Sequence, residues 1–140
     1  MRNLLFLAAG AALAACSGTP DLMSRNLETV ALVDTGEEIV APPLNFAHST
    51  LRSFVPGEDG EEWQEVEGAR CVASVGPYTA VVTTPVRLVV PDMRPVDMPL
   101  VATCTLAEFS GRAVFPSRSG FEGPYGSLSV GMKLAPGAVQ

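Results

Sequence analysis

The residues with the most distinctive chemistry in this chain are its three cysteines and its single histidine. Cys16 follows an apolar N-terminal run, whereas Cys71 and Cys104 stand in segments rich in β-branched residues. A thiol can be acylated, can pair as a disulfide or can bind a metal. No Cys-x-x-Cys spacing occurs and His48 is remote in sequence from all three, so we expect no metal site.

The N-terminus has the pattern of a secretory signal. Arg2 supplies a positive charge, and the apolar run from Leu4 to Leu13 follows it. This run is too short to cross a bilayer as a helix, which takes about 20 residues. It has the length of the apolar part of a signal peptide, so we expect residues 1–15 to be removed.

The residues Leu13-Ala14-Ala15-Cys16 resemble the lipobox of bacterial lipoproteins. The resemblance implies that the Cys16 thiol receives a diacylglyceryl group and that residues 16–43 are a lipid anchor and tether. Ser17 stands where an Asp favours retention in the inner membrane, so the prediction is the outer membrane, facing the periplasm. The alternative is an ordinary cleavable signal in which Cys16 has no special role.

Cys71 and Cys104 are an even pair once Cys16 is assigned to the anchor, and an even pair in an exported chain indicates a disulfide. Closing this loop would stabilise the fold by roughly 3.8 kcal/mol in the chain-entropy model. In the segment from Leu100 to Leu106, the alternation places Cys104 on the same face as the apolar residues, so we expect the bridge to lie in the core.

Composition and patterning predict one small, mainly β domain over residues 44–140. The 140 residues include 13 Gly and 12 Pro, which suits short strands joined by turns. Strand patterns recur at Cys71–Val75, Tyr78–Thr83, Val86–Val90, Leu100–Leu106, Arg112–Phe115 and Leu128–Leu134. The prediction is a small antiparallel β-sandwich or partly open barrel with one disulfide. Helical spacing adds one short N-terminal helix over Leu44–Val55.

An acidic segment, residues 58–67, contains the only tryptophan, Trp63. Its order of carboxylates does not match a calcium-binding loop, and its density of charge favours solvation over catalysis. We expect a solvated loop in which Trp63 either packs back onto the domain or contacts a partner. Its carboxylates are Glu58, Asp59, Glu61, Glu62, Glu65 and Glu67.

A series of short motifs covers residues 66–111: Val66-Glu67-Gly68-Ala69, Cys71, Thr83-Thr84-Pro85, Val86–Pro91, Leu100–Cys104 and Gly111. Together they resemble the PEGA-like modules of bacterial envelope proteins. Two departures are Val66 in place of Pro, and Arg112 where the family usually has an aromatic residue. The resemblance implies a small, β-rich, non-catalytic module outside the cytoplasm.

These observations favour a binding role over an enzymatic one. A net charge of −6 argues against nucleic acid as a partner, and no nucleophile elbow, phosphate-binding loop or zinc motif is present. We expect no cofactor and no catalytic residue. The prediction is a lipid-anchored binding or structural module with an envelope protein or the cell wall as partner. The alternative is an accessory subunit or inhibitor of an envelope complex that docks through the acidic segment and Trp63.

Overall fold

The computed structural model describes residues 26–36, 42–60, 62–118 and 124–134. Within these ranges the secondary structure consists of strands and turns, with no helix. The mainly β fold predicted from the sequence is therefore confirmed. The strands are β1 (Thr29–Ala31), β2 (Val33–Asp34), β3 (Asn45–Pro56), β4 (Trp63–Val66), β5 (Arg70–Val75), β6 (Tyr78–Thr83), β7 (Val86–Asp92), β8 (Leu100–Leu106), β9 (Phe109–Phe115), β10 (Leu128–Gly131) and β11 (Lys133–Leu134).

The strands form two sheets. The first, sheet A, has the order β1-β7-β3-β10, with β4 also paired to β3. The second, sheet B, has the order β11-β9-β8-β5-β6-β2 and is antiparallel throughout. Sheet A contains two parallel pairings, β1 with β7 and β10 with β3. Ser53 and Phe54 pair with both β4 and β10, so those two strands flank β3 on opposite edges.

The core lies between the sheets because both present an alternating apolar face. On β7, Val86, Leu88 and Val90 are at most 1% exposed. On β8, Leu100, Ala102 and Cys104 are fully buried. Thr103, which lies between Ala102 and Cys104, is exposed. A period of two residues places such sets on a single face of each strand, which is the arrangement a sheet over a core requires.

The predicted disulfide joins Cys71 and Cys104, which lie directly opposite each other on β5 and β8. Both residues are fully buried, so the bridge belongs to the core as the alternation predicts. It connects neighbouring strands of sheet B rather than one sheet to the other. Small residues surround it on this face: Ala73 and Ala102 form the next cross-strand pair, and both are fully buried.

Two chain segments pass from one sheet to the other at a single buried residue. β1 ends beside β7 in sheet A, and after Leu32 the chain continues as β2 beside β6 in sheet B. In the same way, β10 leaves β3 and continues after Met132 as β11 beside β9. Leu32 is 3% exposed and Met132 is fully buried. These two segments form the edges of both sheets, so each side of the sandwich is closed by a continuous backbone.

The second of these crossings is tight. A Cβ atom added to Gly111 on β9 would lie 2.1 Å from the Gly131 carbonyl oxygen and 3.0 Å from the Met132 Cα. A carbon atom cannot approach backbone that closely, so only glycine permits β9 to pack against the crossing. The Met132 amide donates to the Phe54 carbonyl oxygen at 2.8 Å, which ties the crossing to β3.

The predicted helix over Leu44–Val55 is wrong, because all of this segment after Leu44 lies in β3. The residues that face the core are Ser49, Leu51 and Ser53, which are at most 4% exposed. Two of these three are serines, and apolar residues such as Phe54 occupy the alternate positions. The apolar residues of this segment therefore do not alternate, and their spacing resembles that of a helix by accident. A prediction from apolar spacing fails here because it assumes that apolar residues mark the buried face.

Three boundaries differ from the sequence expectation. β1, Leu32 and β2 lie within residues 16–43, so the folded domain begins before residue 44. The acidic segment 58–67 is a loop only in its first part, since β4 pairs with β3. The C-terminal strand pattern is divided by the crossing at Met132, which leaves Leu134 48% exposed.

We expect removal of the disulfide to cost substantial stability. Replacing both cysteines, Cys71→Ala with Cys104→Ala, should lower the free energy of unfolding by about 3–4 kcal/mol, because the unfolded chain regains loop entropy. Urea denaturation at neutral pH measures the change.

The matched control is the neighbouring cross-strand pair on the outer face of sheet B, Val72→Ala with Thr103→Ala. Both side chains are exposed, so this double variant should lose about 1 kcal/mol or less. Equal losses in the two double variants would contradict a specific contribution from the disulfide.

Candidate functional site

The candidate site is an open apolar cleft of about 400 Å³ on the outer face of sheet A. The side chains of Phe54 and Trp63 line it together with Ser129 and Gly131 of β10. These residues share the outer face because Phe54 pairs with Gly131, while the buried Ser53 pairs with Val130. Three separate strands, β3, β4 and β10, therefore build the cleft.

Trp63 is the most prominent residue of the cleft. It opens β4, where it lies opposite Pro56, and its side chain is 51% exposed. A Cβ atom added to Gly131 would lie 3.0 Å from Cη2 and 3.1 Å from Cζ3 of the indole ring. The ring thus covers the glycine backbone of β10, and the remainder of its surface is open to solvent. Trp63 both packs onto the domain and remains available for contact.

The hairpin loop that leads into Trp63 carries exposed carboxylates. The Gly57 amide donates to the Glu62 carbonyl oxygen at 2.6 Å, and the Gly60 amide donates to the Gly57 carbonyl oxygen at 2.8 Å. Gly60 has a φ of +73°, a left-handed conformation that glycine adopts without a steric cost. The side chains of Glu58 and Glu62 are exposed on this turn.

An ion pair lies next to the cleft on the outer face of sheet A. Arg52 Nη1 donates to Glu65 Oε2 at 3.0 Å, with side chains 11% and 22% exposed. Arg52 lies opposite Ser129, and Glu65 lies opposite Phe54, so the pair is adjacent to the cleft. The charge of the Arg52 guanidinium is therefore offset by its own neighbour, Glu65.

A second, more polar cavity of about 270 Å³ lies beside the turn that joins β6 to β7. Two segments of the PEGA-like resemblance meet next to it. The Gly68 amide donates to the Thr84 carbonyl oxygen at 2.8 Å, and the Thr84 amide donates to the Ala69 carbonyl oxygen at 2.9 Å. The hydroxyl groups of Thr84 and Ser53 are 2.6 Å apart. The lining residues are Asn26, Leu27, Glu28, Glu67, Thr83, Thr84 and Pro85.

A buried acidic group lies at the end of β7. Arg94 donates three hydrogen bonds to Asp92: from Nε to Oδ1 at 2.8 Å, from Nη2 to Oδ2 at 2.6 Å and from its backbone amide to Oδ1 at 3.1 Å. These bonds keep the pKa of Asp92 below its usual value, against the opposing effect of burial. Arg94 Nη1 also donates to the Arg118 carbonyl oxygen at 2.9 Å. The arrangement pins two loops together and is structural.

Tyr125 supports the same region. Its hydroxyl donates to the Met98 carbonyl oxygen at 2.5 Å, and its side chain is 2% exposed. Burial raises the pKa of Tyr125 to about 12, with a further contribution from the negative charges of Asp92 and Asp97. The phenol is therefore neutral at physiological pH and acts as a hydrogen-bond donor.

The candidate residues identified from the sequence differ in where they lie. Cys16 and the signal peptide over residues 1–15 lie outside the described residues. Cys71 and Cys104 are in the core, and His48 is exposed on β3. Of the predicted site residues that the structure describes, only Trp63 lines the cleft.

Sequence reasoning missed Phe54 and Gly131. The mistaken helix assigned Phe54 to a buried helical face. An isolated glycine such as Gly131 inside a strand pattern is a signal of close backbone approach, and here it marks the position of the tryptophan ring.

Among the described residues no group of three or more His, Cys, Asp or Glu side chains is placed to hold a metal ion. No helix long and apolar enough to cross a membrane occurs in the same residues.

Comparisons of the chain with protein-family models, with curated proteins and with solved structures gave no match. The resemblances to the lipobox and to PEGA-like modules therefore stay predictions from the sequence.

The Asp92–Arg94 pair predicts a pH dependence of stability. An unperturbed Asp has a pKa of about 3.9, and Arg94 lowers that value in the folded state. Ionised Asp92 thus stabilises the fold above about pH 4, and this contribution is lost as the pH falls through the folded-state pKa. The variant Asp92→Asn should be less stable than the unmodified chain at pH 7, with a smaller difference at pH 3.

Urea denaturation at the two pH values measures this difference. Asp97→Asn is the control, because Asp97 is exposed and accepts a hydrogen bond from the uncharged Ser117 hydroxyl at 3.2 Å. A stability difference for Asp92→Asn that does not change between pH 7 and pH 3 would contradict the prediction.

Proposed function

We propose that this chain is a lipid-anchored, non-catalytic binding or structural module of a bacterial cell envelope. The observation that carries the binding role is the half-exposed Trp63 above the apolar cleft. Tryptophan is enriched among the few residues that supply most of the free energy at protein interfaces. The partner is another envelope protein or the cell wall.

The anchor in this proposal is Cys16, and its support comes from the lipobox-like residues that precede it. Each buried methylene of an acyl chain contributes about 0.8 kcal/mol, and two or more chains hold a protein stably at a membrane. The Cys71–Cys104 disulfide suits the same location, because disulfides persist in oxidising compartments outside the cytoplasm. With Ser17 after the anchor, the proposed location is the outer membrane, facing the periplasm.

A second candidate function is an accessory subunit or inhibitor of an envelope complex. It is favoured by the position of the exposed Glu58 and Glu62 on the loop that leads into Trp63. In this case the acidic loop and the cleft dock together on one protein of fixed stoichiometry. The first candidate also allows a partner that is not a protein, such as peptidoglycan.

The anchor predicts that Cys16→Ser releases the protein from membranes. Without the thiol no diacylglyceryl group can be attached, so lipid labelling should disappear and the chain should move to the soluble fraction. Fractionation of cells fed a labelled fatty acid measures both effects. A Cys16→Ser chain that still carries label and sediments with membranes would exclude the lipobox interpretation.

The cleft predicts a site-specific crosslink in intact envelopes. A photoreactive residue at the exposed position Ser129, which lines the cleft, should give a discrete product that is lost on Trp63→Ala. The matched control places the same residue at Val81, which is 56% exposed on sheet B, and should give no such product.

The outcome also separates the two candidates. One crosslinked protein in a fixed ratio supports the accessory subunit, whereas retention of the chain on purified peptidoglycan supports the structural module. Equal products from positions 129 and 81, or none from position 129 together with no retention, would contradict a binding role for the cleft.

A further inference from the structure

The cleft has an apolar floor of limited size. Its volume of about 400 Å³ falls in the range of pockets that hold small groups, which is roughly 300–1,000 Å³. One surface of the Trp63 ring lies against Gly131, and half of the side chain is exposed. A partner segment can therefore place an apolar side chain beside Phe54 and a second group on the free surface of the indole.

The loop that leads into the cleft at Trp63 is acidic. Glu58 and Glu62 are exposed on the hairpin loop that ends at Trp63. Arg52, which lies opposite the lining residue Ser129, is in an ion pair with Glu65 at 3.0 Å, so its charge is already offset. The whole chain has a net charge of −6, so long-range attraction also selects positively charged partners.

We propose that this cleft binds an extended protein segment that carries a lysine or arginine next to an apolar side chain. The apolar side chain fills the space beside Phe54, and the cation lies on the Trp63 ring within reach of the loop carboxylates. Cation–π attraction to tryptophan is the strongest among the aromatic side chains, and complementary charge adds specificity. This inference rests on the proposed binding role and specifies the chemistry of the partner.

The chain contains its own fluorescent probe, because Trp63 is the only tryptophan among its 140 residues. The test titrates the purified chain with a blocked peptide of alternating lysine and leucine, and in parallel with a peptide that has glutamate in place of lysine. The lysine peptide should shift or quench the emission of Trp63, and the glutamate peptide should leave it unchanged. Raising the salt from low to molar concentration should weaken binding several-fold by screening.

Variants test the two halves of the cleft separately. The double variant Glu58→Gln with Glu62→Gln should weaken binding of the lysine peptide roughly threefold, as expected for exposed charge pairs. Glu28→Gln is the matched control, since Glu28 is exposed near β1, two strands away from β3, and should leave affinity unchanged.

Gly131→Ala should displace the indole, because the added Cβ would lie 3.0 Å from the ring. Binding should fall about tenfold. A thermal melt shows whether the variant remains folded. Trp63→Phe, followed by calorimetry, keeps an aromatic surface and should retain part of the affinity even if Gly131→Ala unfolds the chain.

Equal affinity for the lysine and glutamate peptides, or no binding of the lysine peptide, would overturn the inference. Failure of this inference can be distinguished from failure of the proposed function. A crosslinked partner without a basic segment at the contact would leave the binding role standing and refute this inference. Binding of the lysine peptide without any crosslink or retention in envelopes would support the chemistry of the cleft and contradict the proposed role.

Discussion

The passage of the chain between the two sheets at Met132 is the constraint on which the architecture and the candidate site both depend. Met132 is fully buried, and the approach of β9 at Gly111 leaves no space for a side chain there. β10 ends at Gly131, directly before the crossing. Because Gly131 has no side chain, the Trp63 ring can lie against its backbone. The tight crossing that closes one side of the sandwich therefore also places the ring that lines the cleft.

The matching crossing at Leu32 closes the other side of the sandwich. Unpaired strand edges expose hydrogen-bonding groups that promote association with other chains. Here the edges of sheets A and B are supplied by the same two continuous segments, so closure needs only short strands of two to four residues. The Cys71–Cys104 bridge contributes in a different way. It links two central strands of sheet B on a face of small residues, where side-chain packing alone offers little apolar area.

The candidate site combines two features that are separate in the sequence. An acidic hairpin loop gives the region its charge, and an apolar cleft formed by three strands gives it its contact surface. Trp63 belongs to both, because it follows the loop and lies over β10. By contrast, the buried Asp92 is satisfied by Arg94 and serves to hold loops. Burial with complete hydrogen bonding is typical of structural polar groups, and an exposed aromatic ring is typical of a contact residue.

The sequence by itself determined the mainly β class, the disulfide and most strand positions, because alternation and paired cysteines in β-branched segments are local signals. β6 and β8, for example, begin and end where the pattern predicts. Only the tertiary structure decided that Ser49 and Ser53 face inward on β3, and that Phe54 and Gly131 join Trp63 in one cleft. The physical reason is that pairing partners distant in sequence determine which face of a strand is buried, and residue type at a single position does not reveal those partners.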